Sequence, residues 1–584
     1  MADSSFPLPT YLQAQEALFR DATRQLQSKS NPQSLSATAE WLPDNFYLVQ
    51  QTCRQIREDM PVSFYRQLPK RDAGPLQAYP RVYAIAQKMI VMRKARLDSE
   101  FITRFVQRYQ GLAPLTTGEL WALPVMLRLG LVEFLAQSVS RITDLPRINA
   151  LPTLPLPHPL TGDETVAHCI TSLRMLATQD WQDFFESVSQ VEAILRDDPA
   201  RVYAAMDPET RDRYRKGVEK LARATGQDEQ SVARQAIELA QGHEQLRTAR
   251  NTHVGHYLLD AGRPQLEARV GYRPPASERA RRWALAHPTP VYLGGIGAIT
   301  LGGVLGGVLY AQASGATLLQ TLAVGLLLLI PAITVAVSLI NWLITLVIPP
   351  RILPKMDFED EIPADCKTLV VIPSLLSNAA EVKALLKQVE LHFLRSQDPH
   401  LYFALLTDLP DTRQEPESGT TPLVAQVAAG IRALNAKHHR ATSGPFYLFH
   451  RDSKWNPREE RWMGWERKRG KLHELNLLLR GGAETAFSVQ TGDLEVLPEI
   501  KYVITLDADT LMPRETAHRL VATLAHPLNR AEFDPHSGAV SAGYTLLQPG
   551  IEITSTSVNR SRFTRIFAGD VGLDLYSRAV SNAY

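Results

Sequence analysis

Tyr502-Val503-Ile504-Thr505-Leu506-Asp507-Ala508-Asp509-Thr510 is an apolar run that ends in two aspartates one residue apart. Its first five residues are β-branched, aromatic or aliphatic and read as a strand. The two carboxylates then stand at the carboxyl end of that strand, where open α/β sheets form their ligand crevice. Two hard oxygen ligands there can hold a divalent cation whose other ligands are phosphate oxygens and water. Asp-x-Asp alone is a weak motif, equally at home in an ordinary acidic strand-to-helix turn. Its surroundings decide what it means.

Upstream, from Pro354 onward, strand and helix patterns alternate. Strands are expected at 368–373, 401–407, 445–450 and 501–506, and helices at 379–395, 421–437, 471–479 and 513–526. This is the pattern of βαβ units and a mainly parallel, Rossmann-like sheet. The second strand ends at Thr407-Asp408-Leu409-Pro410-Asp411, an acidic edge suited to a base or ribose, or to simple capping. Between the third and fourth strands lies Trp465-Glu466-Arg467-Lys468-Arg469-Gly470-Lys471-Leu472-His473-Glu474-Leu475-Asn476. A basic run with a glycine at a helix start can set Lys471 and a positive helix end against phosphate. Trp455, Trp462 and Trp465 interleave with the basic residues, as in single-strand nucleic-acid sites. That cluster is short and the formal net charge is only +2, so no nucleic-acid partner is expected. A plain solvated charged face is the alternative.

The middle of the chain changes solvent. Residues 291–311 carry no charge, and after a short break a second uncharged run covers 318–348. About 20 apolar residues span a membrane, so these runs predict a two-helix transmembrane hairpin, with Pro331 kinking the longer helix or its end around Asn341-Trp342 lying in the interface. Glycines at 294, 295, 302, 303, 306 and 307 permit close helix approach. Arg279, Arg281 and Arg282 precede the hairpin, Arg351 and Lys355 follow it, and the loop between is uncharged. Positive-inside reasoning therefore places both soluble regions in the cytoplasm.

The expected domains are an all-α cytosolic region over 1–287, the hairpin over 288–350 and an α/β region over 351–584. In the first, helical periodicity appears at 77–94, 98–110, 117–139, 165–196 and 208–226, with a proline-rich linker near 145–160 separating two lobes. Trp41, Tyr65, Arg66, Tyr79, Arg81 and Trp121 read as core and rim rather than as a groove. Cys53, Cys169 and Cys366 are few and scattered, which predicts free thiols without disulfides or zinc. The amino terminus has no basic-then-apolar signal-peptide pattern.

The order Asp408, Gly470-Lys471, Asp507-x-Asp509 resembles the nucleotide-sugar half of inverting glycosyltransferases of the GT-A fold, such as cellulose and hyaluronan synthases. A narrower resemblance rests on Asn341-Trp342-Leu343-Ile344-Thr345-Leu346-Val347-Ile348-Pro349-Pro350-Arg351, on 464–476, and on Asn559-Arg560-Ser561 with Phe563-Thr564-Arg565-Ile566-Phe567-Ala568-Gly569-Asp570. Ala39-Glu40-Trp41-Leu42-Pro43-Asp44-Asn45-Phe46-Tyr47 and 207–215 extend it into the helical half. Over essentially its whole length the chain is similar to the amino-terminal portion of the cyclic β-1,2-glucan synthases.

That resemblance implies a multi-pass protein of the bacterial inner membrane that builds β-1,2-glucan from UDP-glucose with a divalent metal, Mg²⁺ or Mn²⁺. Asp507 and Asp509 match its metal and diphosphate motif, Asp408 its uridine-side acid, and Lys471 and Asn476 its donor-phosphate segment. Family members begin the glucan on the protein itself, and a downstream phosphorylase-like module closes the ring. Expected partners are UDP-glucose, the growing glucan, membrane lipid and glucan-export machinery. The catalytic base is expected beyond Tyr584, so the α/β domain is read as incomplete at its carboxyl end and the isolated chain as inactive. Asp570 and Asp574 are assigned a loop role. Two alternatives stand beside this reading: an inert membrane-anchored nucleotide-sugar-binding or docking module, and a cellulose-synthase-like processive polymerase.

Overall fold

In the computed structural model, residues 8–28, 37–147, 151–155, 161–242, 250–415, 421–439, 444–482, 485–550 and 553–567 are described. They fall into two compact units. One comprises Met1–Ala204 with Asp212–Tyr272, the other Ala205–Arg211 with Arg273–Tyr584.

The second unit carries the sheet. Its strands are β1 (Thr368–Leu375), β2 (Leu401–Asp408), β3 (Phe446–Arg451), β6 (Phe487–Thr491) and β7 (Tyr502–Thr505), in the order β6-β3-β2-β1-β7. A small antiparallel hairpin, β4 (Lys454–Asn456) with β5 (Arg461–Met463), stands apart. Every pairing in the main sheet is parallel except β3 with β6. Alternate strand residues feed two cores, as the two-residue period of a strand requires. Val370, Ile372, Phe403, Leu405, Phe446 and Leu448 pack with the helices Ala379–Arg395, Pro422–Lys437 and Thr516–Ala525. Leu369, Val371, Tyr402, Ala404, Leu406 and Tyr447 pack on the other side with Leu475 and Leu479 of the helix Arg467–Leu479. Both faces are covered, which explains why β1 and β2 read as continuous apolar runs. β2 lies on one side of β1 and β7 on the other. The direction of strand addition thus reverses at β1, the place where open α/β sheets form their ligand crevice.

The apolar runs form two antiparallel-connected helices, Pro288–Ala313 and Leu318–Val347. Only 6% and 11% of their most apolar stretches are buried in protein, so both present apolar surface outward. The second is one uninterrupted helix that includes Pro331. At about 1.5 Å per residue its 30 residues reach about 45 Å, longer than a hydrocarbon core of about 30 Å, which tilt or overhang accommodates. The pair meets where small residues allow it. A Cβ on Gly307 would lie 2.1 Å from Leu328, and Tyr292 donates to Asn341 at 3.0 Å.

In the helical unit, the helix Thr117–Thr143 is also long and apolar enough to span a membrane, but 94% of that stretch is buried inside the unit. A Thr116–Glu119 capping box starts it. The expected 165–196 helix is three helices, Gly162–Thr178, Trp181–Val188 and Gln190–Arg196. Asp180 and Ser189 each cap a new start, a preference that local hydrogen bonding explains and periodicity misses. Leu131 and Ile170, on either side of the proline-rich stretch, belong to one hydrophobic core, so the described part of that stretch joins helices rather than separating lobes. Cys53, Cys169 and Cys366 are buried free thiols; burial pushes Cys53 up to about 12. The sequence reading also missed β6 and the β4–β5 hairpin, which are short and lie beside a charged run. Asp570 and Asp574 lie outside the described residues.

Candidate functional site

The carboxyl edge of the sheet is built strand by strand. Leu506 N–H donates to the Val371 carbonyl at 2.9 Å, carrying the β1–β7 pairing past Thr505, and Thr510 N–H closes a turn onto Asp507 at 2.9 Å. Asp507 and Asp509 are thereby presented, exposed, next to the end of β1. Among the described residues no group of three or more His, Cys, Asp or Glu side chains is placed to hold a metal. Two exposed carboxylates suit a cation that keeps water or phosphate oxygens for the rest of its sphere. A cation already stands there: the Lys468 ammonium pairs with Asp507. The donors are hard carboxylate oxygens, the class that suits Mg²⁺ or Mn²⁺.

Asp408, the last residue of β2, is only 2% exposed. Arg451, the last residue of β3, grips it in a fork, Nε to Oδ1 at 2.9 Å and Nη2 to Oδ2 at 3.0 Å. Lys471 Nζ reaches Asp408 Oδ2 at 3.1 Å and donates to the Ser374 carbonyl at 2.8 Å, at the end of β1. Glu474 approaches Arg451 at 3.5 Å and offsets the second positive charge. Burial pushes the Lys471 ammonium below its usual range, Asp408 opposes this, and Arg451 and Lys468 add to the depression. His450 beside them is held down mainly by burial and bonds the Thr407 hydroxyl at 2.9 Å. Such a cluster is costly to break, because any one partner removed strands a buried charge.

The turn into the Arg467–Leu479 helix is strained. Glu466 and Arg467 adopt φ of +50° and +47° in sequence, a left-handed conformation that costs non-glycine residues about 1–2 kcal/mol each. No side chain caps this helix start. Arg451 instead binds the turn from below, donating to the carbonyls of Trp465 and Arg467, each at 3.0 Å. A Cβ on Gly470 would lie 1.9 Å from the Trp465 oxygen, and one on Gly464 would lie 2.8 Å from both Arg451 and Asp408. Arg467 reaches outward to Asp411 and Glu459, each at 3.0 Å.

The expected residues are therefore partly gathered. Asp408 and Lys471 touch, and Asp507 joins them through Lys468 on the same helical turn. Asp509 follows Asp507 in the exposed turn. Lys471 is directed inward, 3% exposed, while Lys468 is the half-exposed ammonium at the crevice. Asn476 is exposed and lies five residues past Lys471, roughly 140° around the helix, so it is not brought to the cluster. Arg451, Lys468, Glu474 and Gly464 escaped the sequence reading. An arginine closing an apolar strand at the carboxyl edge was the available signal for Arg451.

A second titratable cluster lies in the helical unit. His253 bridges Asp198 at 2.8 Å and Tyr214 at 2.9 Å. All three side chains are fully enclosed and Asp198 also accepts from the main chain at Val202, Tyr203 and Val254. Enclosure of that kind holds a fold together and admits no substrate.

No protein-family model matches the chain. A curated relative does: the cyclic beta-(1,2)-glucan synthase NdvB of Rhizobium meliloti (strain 1021) is 32% identical over 639 aligned positions. The alignment takes in 94% of this chain and 22% of the relative, so the chain spans about a fifth of the relative's length. Sequence kinship that runs through the helical unit, the membrane helices and the sheet alike gives one conclusion: the chain belongs to the cyclic β-(1,2)-glucan synthase family.

Proposed function

We propose that this chain holds UDP-glucose and a divalent cation as the donor side of an inverting β-1,2-glucosyltransferase in the bacterial inner membrane, with its sheet facing the cytoplasm. The observation that carries this is the tie between one helix and both acidic strand ends: Lys471 to Asp408 and Lys468 to Asp507. That sets one half-exposed ammonium, two exposed carboxylates and an uncapped helix start beside the end of β1, with the buried Lys471 ammonium behind them. Asp507 and Asp509 would hold Mg²⁺ or Mn²⁺, and the metal when bound neutralises charge on the departing diphosphate. Lys468 supplies a second positive charge at the crevice, and Lys471 keeps Asp408 and the end of β1 in register behind it. Charge stabilisation of this kind is usually the largest catalytic term in group transfer. An acceptor hydroxyl must also lose its proton to a base on the opposite face; Asp408, Lys471, Asp507 and Asp509 are all assigned to the donor side. Asn476 is left out, being exposed on another face of the helix.

Titration of the purified chain in detergent tests this reading. UDP-glucose should bind with Mn²⁺ present, lose at least tenfold in affinity when EDTA removes the metal, and be displaced by UDP but not by ADP. Equal affinity with and without metal would overturn the assignment.

A further inference from the structure

We infer that Arg451 is a positioning residue for the nucleotide-sugar donor: its guanidinium locks the strained 464–467 turn and thereby aims the first turn of the Arg467–Leu479 helix at the crevice. The inference rests on the donor-site reading above and deepens it.

Four of the contacts of this one side chain carry the argument. Two N–H groups hold both oxygens of Asp408, and two further bonds run to the main-chain oxygens of Trp465 and Arg467. Arg451 is 1% exposed, so none of this is surface decoration. A guanidinium is the side chain that can do this, because its fixed planar fork serves a carboxylate and other acceptors at once, whereas an ammonium is a single point charge. The carbonyls it captures flank the two consecutive left-handed residues, Glu466 and Arg467. Strained backbone persists only where its surroundings over-determine it, and Arg451 supplies that constraint from inside. The two glycines complete the fit. Gly464 makes room for Arg451 and Asp408, and Gly470 makes room for the Trp465 oxygen that Arg451 binds. Lys468 and Lys471 follow directly from this turn, one meeting Asp507 and the other Asp408. The contacts of Arg451 run to Asp408, Glu474 and the turn, so it orients the cationic turn rather than Asp507 and Asp509.

Two variants test this, each compared with the parent chain in detergent. Arg451→Lys keeps the charge and loses the fork. Gly470→Ala keeps the Arg451–Asp408 pair and displaces the Trp465 oxygen. UDP-glucose affinity, measured with Mn²⁺ well below every melting temperature, should fall at least tenfold in both variants. Mn²⁺ affinity without nucleotide, read by electron paramagnetic resonance, should stay within twofold of the parent. A merely structural role would instead lower the melting temperature and the number of binding sites per chain, with the UDP-glucose Kd of the folded fraction unchanged. If the parent binds UDP-glucose and both variants match its Kd, the inference is overturned. If Arg451→Lys does not fold, Gly470→Ala decides alone. If the parent itself binds no UDP-glucose, the donor reading fails first and takes this inference with it.

Discussion

At the scale of single residues, buried charge is the organising theme, and its energetics make firm predictions. Asp408 pairs with both Arg451 and Lys471 in an enclosed site, with Glu474 beside Arg451. Asp408→Asn would leave two buried cations sharing one neutral amide, at a cost of about 3–5 kcal/mol, seen as a loss of thermal stability in the sheet unit. Asp198 gives a pH dependence in the helical unit. Burial pushes its carboxyl up, but the His253 bond and charge and the main-chain N–H groups outweigh this and hold it below the ordinary range. A carboxyl with a depressed folded pKa contributes stability that is present above its unfolded value, about 3.9, and is lost as pH falls through the folded value. The parent chain's melting temperature should therefore drop below about pH 4. Asp198→Asn should remove its share of that dependence, with Glu192 and Asp260 in the same unit supplying more, while costing about 3 kcal/mol at neutral pH; a melt that stays equally steep below pH 4 in the variant would contradict this account. At this scale strand ends drew the expectation to Asp507, Asp509 and Asp408, and a glycine-lysine helix start drew it to Lys471; the fold brings Lys471 and Asp408 into contact. It hid Arg451, whose meaning depends on carbonyls 14 and 16 residues away, and it assigned outward roles to side chains that the fold encloses.

At the scale of elements, the alternation after Pro354 was legible because long apolar strands and amphipathic helices carry strong periodic signals. What failed were short pieces decided by local bonding: the breaks at Asp180 and Ser189, the three-residue strands of the β4–β5 hairpin, and β6, which pairs antiparallel to β3. Pro331 did not interrupt its helix, as membrane helices often tolerate proline. The paired apolar helices offer a direct test. Gly307 faces Leu328 closely, whereas nothing lies within 4 Å of a Cβ on Gly302. Gly307→Ile should loosen the pair and reduce disulfide cross-linking between Val308→Cys and Gly325→Cys severalfold, while Gly302→Ile should leave it unchanged. Equal yields in both would show that the glycine contact does not hold the helices.

At the scale of the whole molecule, kinship to a glucan synthase, two outward-facing apolar helices and a sheet with a charged carboxyl edge point the same way. The basic residues before and after the hairpin predict that its loop lies across the membrane from the sheet. A Ser314→Cys variant should react with a membrane-impermeant maleimide on the outer face of intact cells, against a background of three buried thiols; labelling only after permeabilisation would reverse the orientation. The central claim is that Asp507 and Asp509 hold the cation through which UDP-glucose is bound. Replacing both by asparagine keeps size and shape and removes the charge, so calorimetry of the double variant with Mn²⁺ and UDP-glucose addresses the claim most directly. The predicted result is loss of metal-dependent binding by at least a hundredfold, with the melting temperature of the chain unchanged; metal-dependent binding that persists at the parent's affinity would contradict it.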